Sequence, residues 1–211
     1  GGGHSGGGGA GGGGGGGGGG SKGGGGGSGA SANLVKAATV SKSATASVQT
    51  AVNSAIKTKV KAATANIPIT TGNEISPATV RSVVRAVNAA SYKKGITVTP
   101  QVTLSKMSAG KLVSQISFNP KLFTSKTNIK LGVALDDKAS RTALSKQYKN
   151  KIQMVKFTQK GTFGMPVTVT AKMNLTGMNT KTLQFFTYDR VKKTLTQIVA
   201  PNYSIDQQGY L

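Results

Sequence analysis

Acid–base and nucleophilic catalysis need titrating or nucleophilic side chains held in a fixed mutual geometry, and this chain offers few. Its one histidine, His4, sits in a run of glycines, so no histidine triad or histidine metal site has a frame to hold it. The adjacent acids Asp136 and Asp137 read as a helix cap more readily than as a Ca²⁺ site, which wants six or more oxygen ligands. Ser-x-x-Lys spacings occur at Ser54–Lys57, Ser91–Lys94 and Ser108–Lys111. β-Lactamase-like enzymes use that spacing, but their Ser-Asp-Asn and Lys-Thr-Gly companions are missing here, and a chain so rich in Ser and Lys produces such matches by chance. Arg81 and Arg85 stand four apart, a spacing that suits a phosphate grip and equally a solvated helix face. A Lys–Asn cross-link, as in some Gram-positive surface sandwiches, needs a buried acid beside it, for which Asp189 and Asp206 are the strand-region candidates. With no Cys, disulfides and thiolate metal sites are excluded. The expectation is a chain with no catalytic site, no cofactor and no metal.

Charge is the stronger signal. The 211 residues carry 27 Lys and Arg against five Asp and Glu, a net charge of +22. Such an excess implies anionic surroundings: nucleic acid, anionic lipid or a phosphate-rich bacterial wall. Most of the basic residues are Lys and they are scattered, whereas sequence-specific nucleic-acid readers lean on clustered Arg. No run of eighteen apolar residues is present, so no segment reads as a transmembrane helix.

The elements that must position these residues follow from composition and periodicity. Residues 1–31 are Gly with a few Ser and Ala, plus His4 and Lys22. Without Pro and a Gly-x-y repeat this is not collagen, and with nothing apolar to bury it is expected to be a disordered tether spanning about 30 Å. It lacks the flanking strand and helix that a phosphate-cradling glycine loop requires. Residues 32–95 read as a helical, Ala- and Lys-rich segment. Val48, Val52, Ala55, Ile56 and Val60 recur at helical spacing, predicting a helix over about Ala44–Ala63. Asn66–Ile75 reads as a loop. Ser76-Pro77 opens a second helix, with Val80, Val83, Val84 and Val87 as its stripe and Gly95 as its stop.

After Gly95 the period changes to two, and residues 96–211 are expected to form an antiparallel, Ig-like β-sandwich with the helices as an upstream appendage. Strands are predicted over Ile96–Leu104, Lys111–Phe118, Ile129–Leu135, Lys151–Thr158, Met165–Leu175, Leu183–Tyr188, Thr194–Val199 and Asn202–Ile205, with a short helix capped by Asp136 or Asp137 before the fourth. The clearest alternation runs over Met165–Leu175, where Met165, Val167, Val169, Ala171, Met173 and Leu175 share one face. That strand is expected to be central. Phe185 or Phe186, with Tyr203, is expected to supply most of the aromatic core.

The runs Phe163–Val169 and Leu183–Asp189, with Pro201-Asn202-Tyr203-Ser204-Ile205-Asp206 and the closing Gly209-Tyr210-Leu211, resemble a module of uncharacterised exported proteins and lipoproteins of gut Gram-positive bacteria. The likeness covers about a quarter of the chain. It implies a β-sandwich, export, attachment to the cell surface through a lipidated Cys upstream of Gly1, and a further strand after Leu211; it carries over no catalytic residue. The functional expectation is a non-enzymatic, extracellular, structural or adhesive module on a flexible tether, binding glycan, host protein or anionic wall polymer. Its membrane contact would come only through the N-terminal lipid. The alternative is a basic nucleic-acid-binding protein.

Overall fold

The computed structural model describes residues 33–92, 94–135, 137–208 and 210–211. The expected glycine tether at 1–31, with His4 and Lys22, lies outside them, as do Lys93, Asp136 and Gly209. In chain order the elements are α1 (Ala37–Lys57), β1 (Ala62–Pro68), β2 (Glu74–Ile75), α2 (Pro77–Ser91), β3 (Thr97–Ser108), β4 (Lys111–Phe118), a 3-10 turn at Pro120–Leu122, β5 (Ile129–Lys130), β6 (Val133–Ala134), α3 (Lys138–Tyr148), β7 (Lys156–Phe157), β8 (Thr168–Ala171), β9 (Phe186–Asp189) and β10 (Thr194–Gln197).

One four-stranded sheet, in the order β1-β3-β4-β8, organises the rest. β1 runs parallel to β3, from Ala62 opposite Thr97 to Pro68 opposite Thr103. β4 returns antiparallel to β3, and β8 antiparallel to β4. Two-residue alternation gives the sheet one apolar face. Ala65 and Ile67 of β1, Val98, Pro100 and Val102 of β3, Ile116 and Phe118 of β4, and Ala171 of β8 are all buried on it. Pro100 is tolerated because the ladder to β4 begins only at Val102, so the proline removes no bond on that side. The opposite face is polar and uncharged across its middle, with Thr64, Asn66, Thr97, Thr99, Ser105 and Thr168 exposed.

Helices cover the apolar face. Val40, Ala44, Val48, Val52 and Ala55 form the buried stripe of α1. α2 starts as its sequence predicts, with the Ser76 hydroxyl accepting from the Thr79 N–H at 3.1 Å and Pro77 at the first helical position. Its Val80, Val83 and Val87 are buried in the same core as α1 and the sheet. The β-sheet content expected from the sequence is therefore present, together with three helices. The described residues do not form two facing antiparallel sheets of the Ig-like kind. α1 and α2 occupy the layer that a second sheet would fill, so the helices belong to the core and are not an appendage. The β1–β3 ladder also runs across the expected boundary at Gly95, because seven residues read as helix or loop are a strand.

Several strands differ in extent from their sequence signal. The expected Ile129–Leu135 strand breaks into β5 and β6 around Gly132. A Cβ built there would lie 2.6 Å from the Thr158 hydroxyl, and the Gly132 carbonyl accepts from the Thr158 N–H at 2.9 Å. Lys151–Thr158 contributes only the two residues of β7, and Asn202–Ile205 is not a strand. Met165–Leu175 keeps its predicted alternation, with Met165, Val167 and Val169 packed against the core, but only Thr168–Ala171 pairs. That strand is last in the sheet, not central. Its far side is met at one point, where Ala171 and Leu211 exchange N–H···O bonds of 2.7 and 2.9 Å. The core itself is built of Val and Ile with Phe118, while Phe185 and Tyr203 stack on each other at 4.7 Å outside it.

Candidate functional site

Among the described residues, the candidates for chemistry singled out from the sequence are not brought together. Asp137 caps α3, its Oδ1 accepting from the Ser140 N–H at 3.3 Å, and its other oxygen lies 3.0 Å from the Arg190 guanidinium. That backbone hydrogen bond, helped by Arg190 and opposed by partial desolvation, holds its carboxyl below the usual carboxylate range. The capping reading of this acid holds.

Ser91 donates to the Val87 carbonyl at 2.9 Å, and Ser108 and Lys111 face each other across the β3–β4 turn. Arg81 and Arg85 are exposed on the outer side of α2. Asp189 and Asp206 are exposed turn residues. Asp189 accepts from the Val191 and Lys192 N–H groups, and Asp206 from those of Gln208 and Tyr210. Neither stands as a buried acid beside a Lys–Asn pair. The acid that does touch an asparagine is Glu74, which accepts from Asn128 at 2.8 Å at the surface. No group of three or more His, Cys, Asp or Glu suited to a metal occurs among the described residues.

What the tertiary structure does assemble is a lysine-lined end. α1 and α2 each run into a strand of one parallel pair, so the two helix C-termini and the starts of β1 and β3 meet. The Thr97 N–H donates to the Lys61 carbonyl at 2.8 Å. Lys57 closes α1, Lys59 and Lys61 follow it, Lys94 follows α2, and the Lys121 ammonium reaches the Val98 carbonyl at 3.5 Å. All five are exposed, and none is ion-paired among the described residues. Cations there complement the negative ends of the helix dipoles.

Lys59 also holds an unusual backbone. It is the left-handed residue of a Schellman motif, with φ 57°, in which the Val60 N–H reaches the Ala55 carbonyl at 3.0 Å and the Lys59 N–H the Ile56 carbonyl at 3.2 Å. Glycine is the usual occupant of that position. Large apolar side chains are exposed among these lysines: Ile56 at 55%, Val60 at 48% and Tyr92 at 68%, with Leu122 at 51% beside Lys121.

A second feature lies at the other end of β3. A cleft of about 350 Å³ is lined by Lys111, Leu112, Thr170, Lys172, Asp206, Gln208 and Tyr210. Within it the Tyr210 hydroxyl donates to the Leu112 carbonyl at 2.5 Å.

The lysine end was not legible in the sequence as a cluster, although each lysine was. Lys57, Lys59 and Lys61 are separated from Lys94 by more than thirty positions, and only the parallel β1–β3 pairing joins them. Comparison with family models, with curated proteins and with solved structures finds no match for this chain.

Proposed function

We propose that this chain is a non-enzymatic structural or adhesive module, exposed at the cell surface, that docks on an anionic surface of the cell envelope through its lysine end. The observation that carries this reading is the gathering of Lys57, Lys59, Lys61, Lys94 and Lys121 at one end with no acid paired to them among the described residues. Unpaired lysines at one end raise the local potential there and favour an anionic partner.

The test is binding of the full chain to a soluble glycerol-phosphate polymer of the wall type over about 50–200 mM salt. Five lysine contacts give an expected slope of log affinity against log salt of about −3.5 to −4.5, at roughly 0.7–0.9 per contact. Replacing Lys57, Lys59 and Lys61 by Ala should remove about three-fifths of that slope. Salt-insensitive binding, or a slope unchanged in the triple variant, overturns the reading.

A nucleic-acid reading is favoured by one observation, the exposed Tyr92 ring two residues from Lys94, since bases stack on aromatic side chains. Random single-stranded DNA binding more tightly than the glycerol-phosphate polymer, and losing that advantage in Tyr92→Ala, would decide for it.

A further inference from the structure

The lysine end is not a purely charged surface. Ile56 and Val60 flank Lys57 and Lys59, Tyr92 caps α2 before Lys94, and Leu122 follows Lys121, all four exposed by about half or more. A soluble polyanion gives such side chains nothing apolar to meet, and leaving them in water forfeits the burial that stabilises the rest of the fold. A bilayer surface satisfies both kinds of group at once. Its anionic headgroups face the ammoniums, and its acyl boundary takes the apolar tips, with the aromatic ring at headgroup level and the lysine stems extended towards the phosphates.

Resting on the docking reading above, we infer that the anionic surface is a lipid bilayer, and that Ile56, Val60 and Tyr92 enter its interface while Lys57, Lys59, Lys61, Lys94 and Lys121 hold its headgroup phosphates. This contact is made by the folded domain itself and is separate from any lipid attached to the chain. No helix among the described residues is long and apolar enough to cross a membrane, and the inferred contact is an interfacial one at this end. The two helix C-termini there present partial negative charge to the headgroups, and the lysines offset it. Each lysine near an anionic bilayer contributes roughly a fivefold gain in partitioning, corresponding to ~1 kcal/mol. An added apolar contribution makes the binding only partly reversible by salt.

The experiment is sedimentation of the full chain with vesicles of phosphatidylglycerol mixed into phosphatidylcholine, against phosphatidylcholine alone, beside the soluble glycerol-phosphate polymer. The expected result is binding to the anionic vesicles that survives salt sufficient to release the polymer. The pair Ile56→Ser and Tyr92→Ser, checked for folding by circular dichroism, should weaken vesicle binding about tenfold and leave polymer binding unchanged. Lys61→Ala and Lys94→Ala should weaken both. If the polymer binds and the vesicles do not, or if the serine pair leaves vesicle binding intact, the bilayer inference fails while the docking reading stands. If neither ligand binds, both fail.

Discussion

At the residue scale, Lys59 is where backbone stability and the proposed docking role pull in opposite directions. A non-glycine residue in the left-handed region costs about 1 kcal/mol, and the Schellman hydrogen bonds around it are made by the backbone whatever the side chain. Lys59→Gly is therefore expected to raise stability by about 1 kcal/mol in chemical denaturation while weakening docking on anionic ligands. A loss of stability would show that the lysine side chain makes a contact of its own.

Asp137 behaves in the opposite sense, serving the fold alone. Its carboxyl is held below the ordinary range by the Ser140 N–H and Arg190, so its contribution is complete above the unfolded value near 3.9. That contribution is lost as pH falls through the depressed folded value. Helicity followed from pH 6 to about 2 should fall less steeply in Asp137→Asn, which keeps a capping side chain but cannot titrate.

At the scale of elements, β1 decides the architecture. Its sequence, Ala62 to Pro68, has Ala63, Ala65 and Ile67 on one face with Thr64 and Asn66 on the other. That alternation was visible in principle, but the preceding helical stripe of α1 and the Ala-rich composition masked it. Ile67 is fully buried between the sheet and α1. Ile67→Ala should destabilise the described unit by about 2–5 kcal/mol in denaturant unfolding. A loss below about 1 kcal/mol would mean that β1 packs loosely against the rest. By contrast the start and stripe of α2 were legible, because its cap, proline and valine spacing are local signals that any helix needs, whereas its stop was not: the helix ends at Ser91 with Tyr92 extended, short of the expected Gly95. β8 was legible as a strand, yet not as an edge, since the alternation records which side faces the helices and carries no information about neighbours.

For the whole molecule, the described residues fall in one compact unit whose core draws on both sides of Gly95. A chain cut between Gly95 and Ile96 separates the covering helices α1 and α2 and the first strand β1 from β3, β4 and β8. Neither half is expected to fold alone, and mixing the two should restore the amide dispersion of the intact chain. A well-dispersed spectrum from residues 96–211 alone would reinstate the boundary. The charge also acts at this scale. A net +22 keeps such a chain apart from its own kind and draws it to anions from any direction, and under the docking proposal the lysine end is the one that makes contact.

By itself, the sequence determined the helix stripes, most of the strand alternation and how few titrating groups the chain carries, because alternation, helical spacing and the inventory of titrating groups are local or compositional properties. Only the tertiary structure decided that helices, not a second sheet, cover the apolar face, and that lysines and exposed apolar side chains far apart in the chain share one end. Parallel pairing of β1 with β3 is a long-range choice, made by what each face buries against, and no window of neighbouring residues contains it.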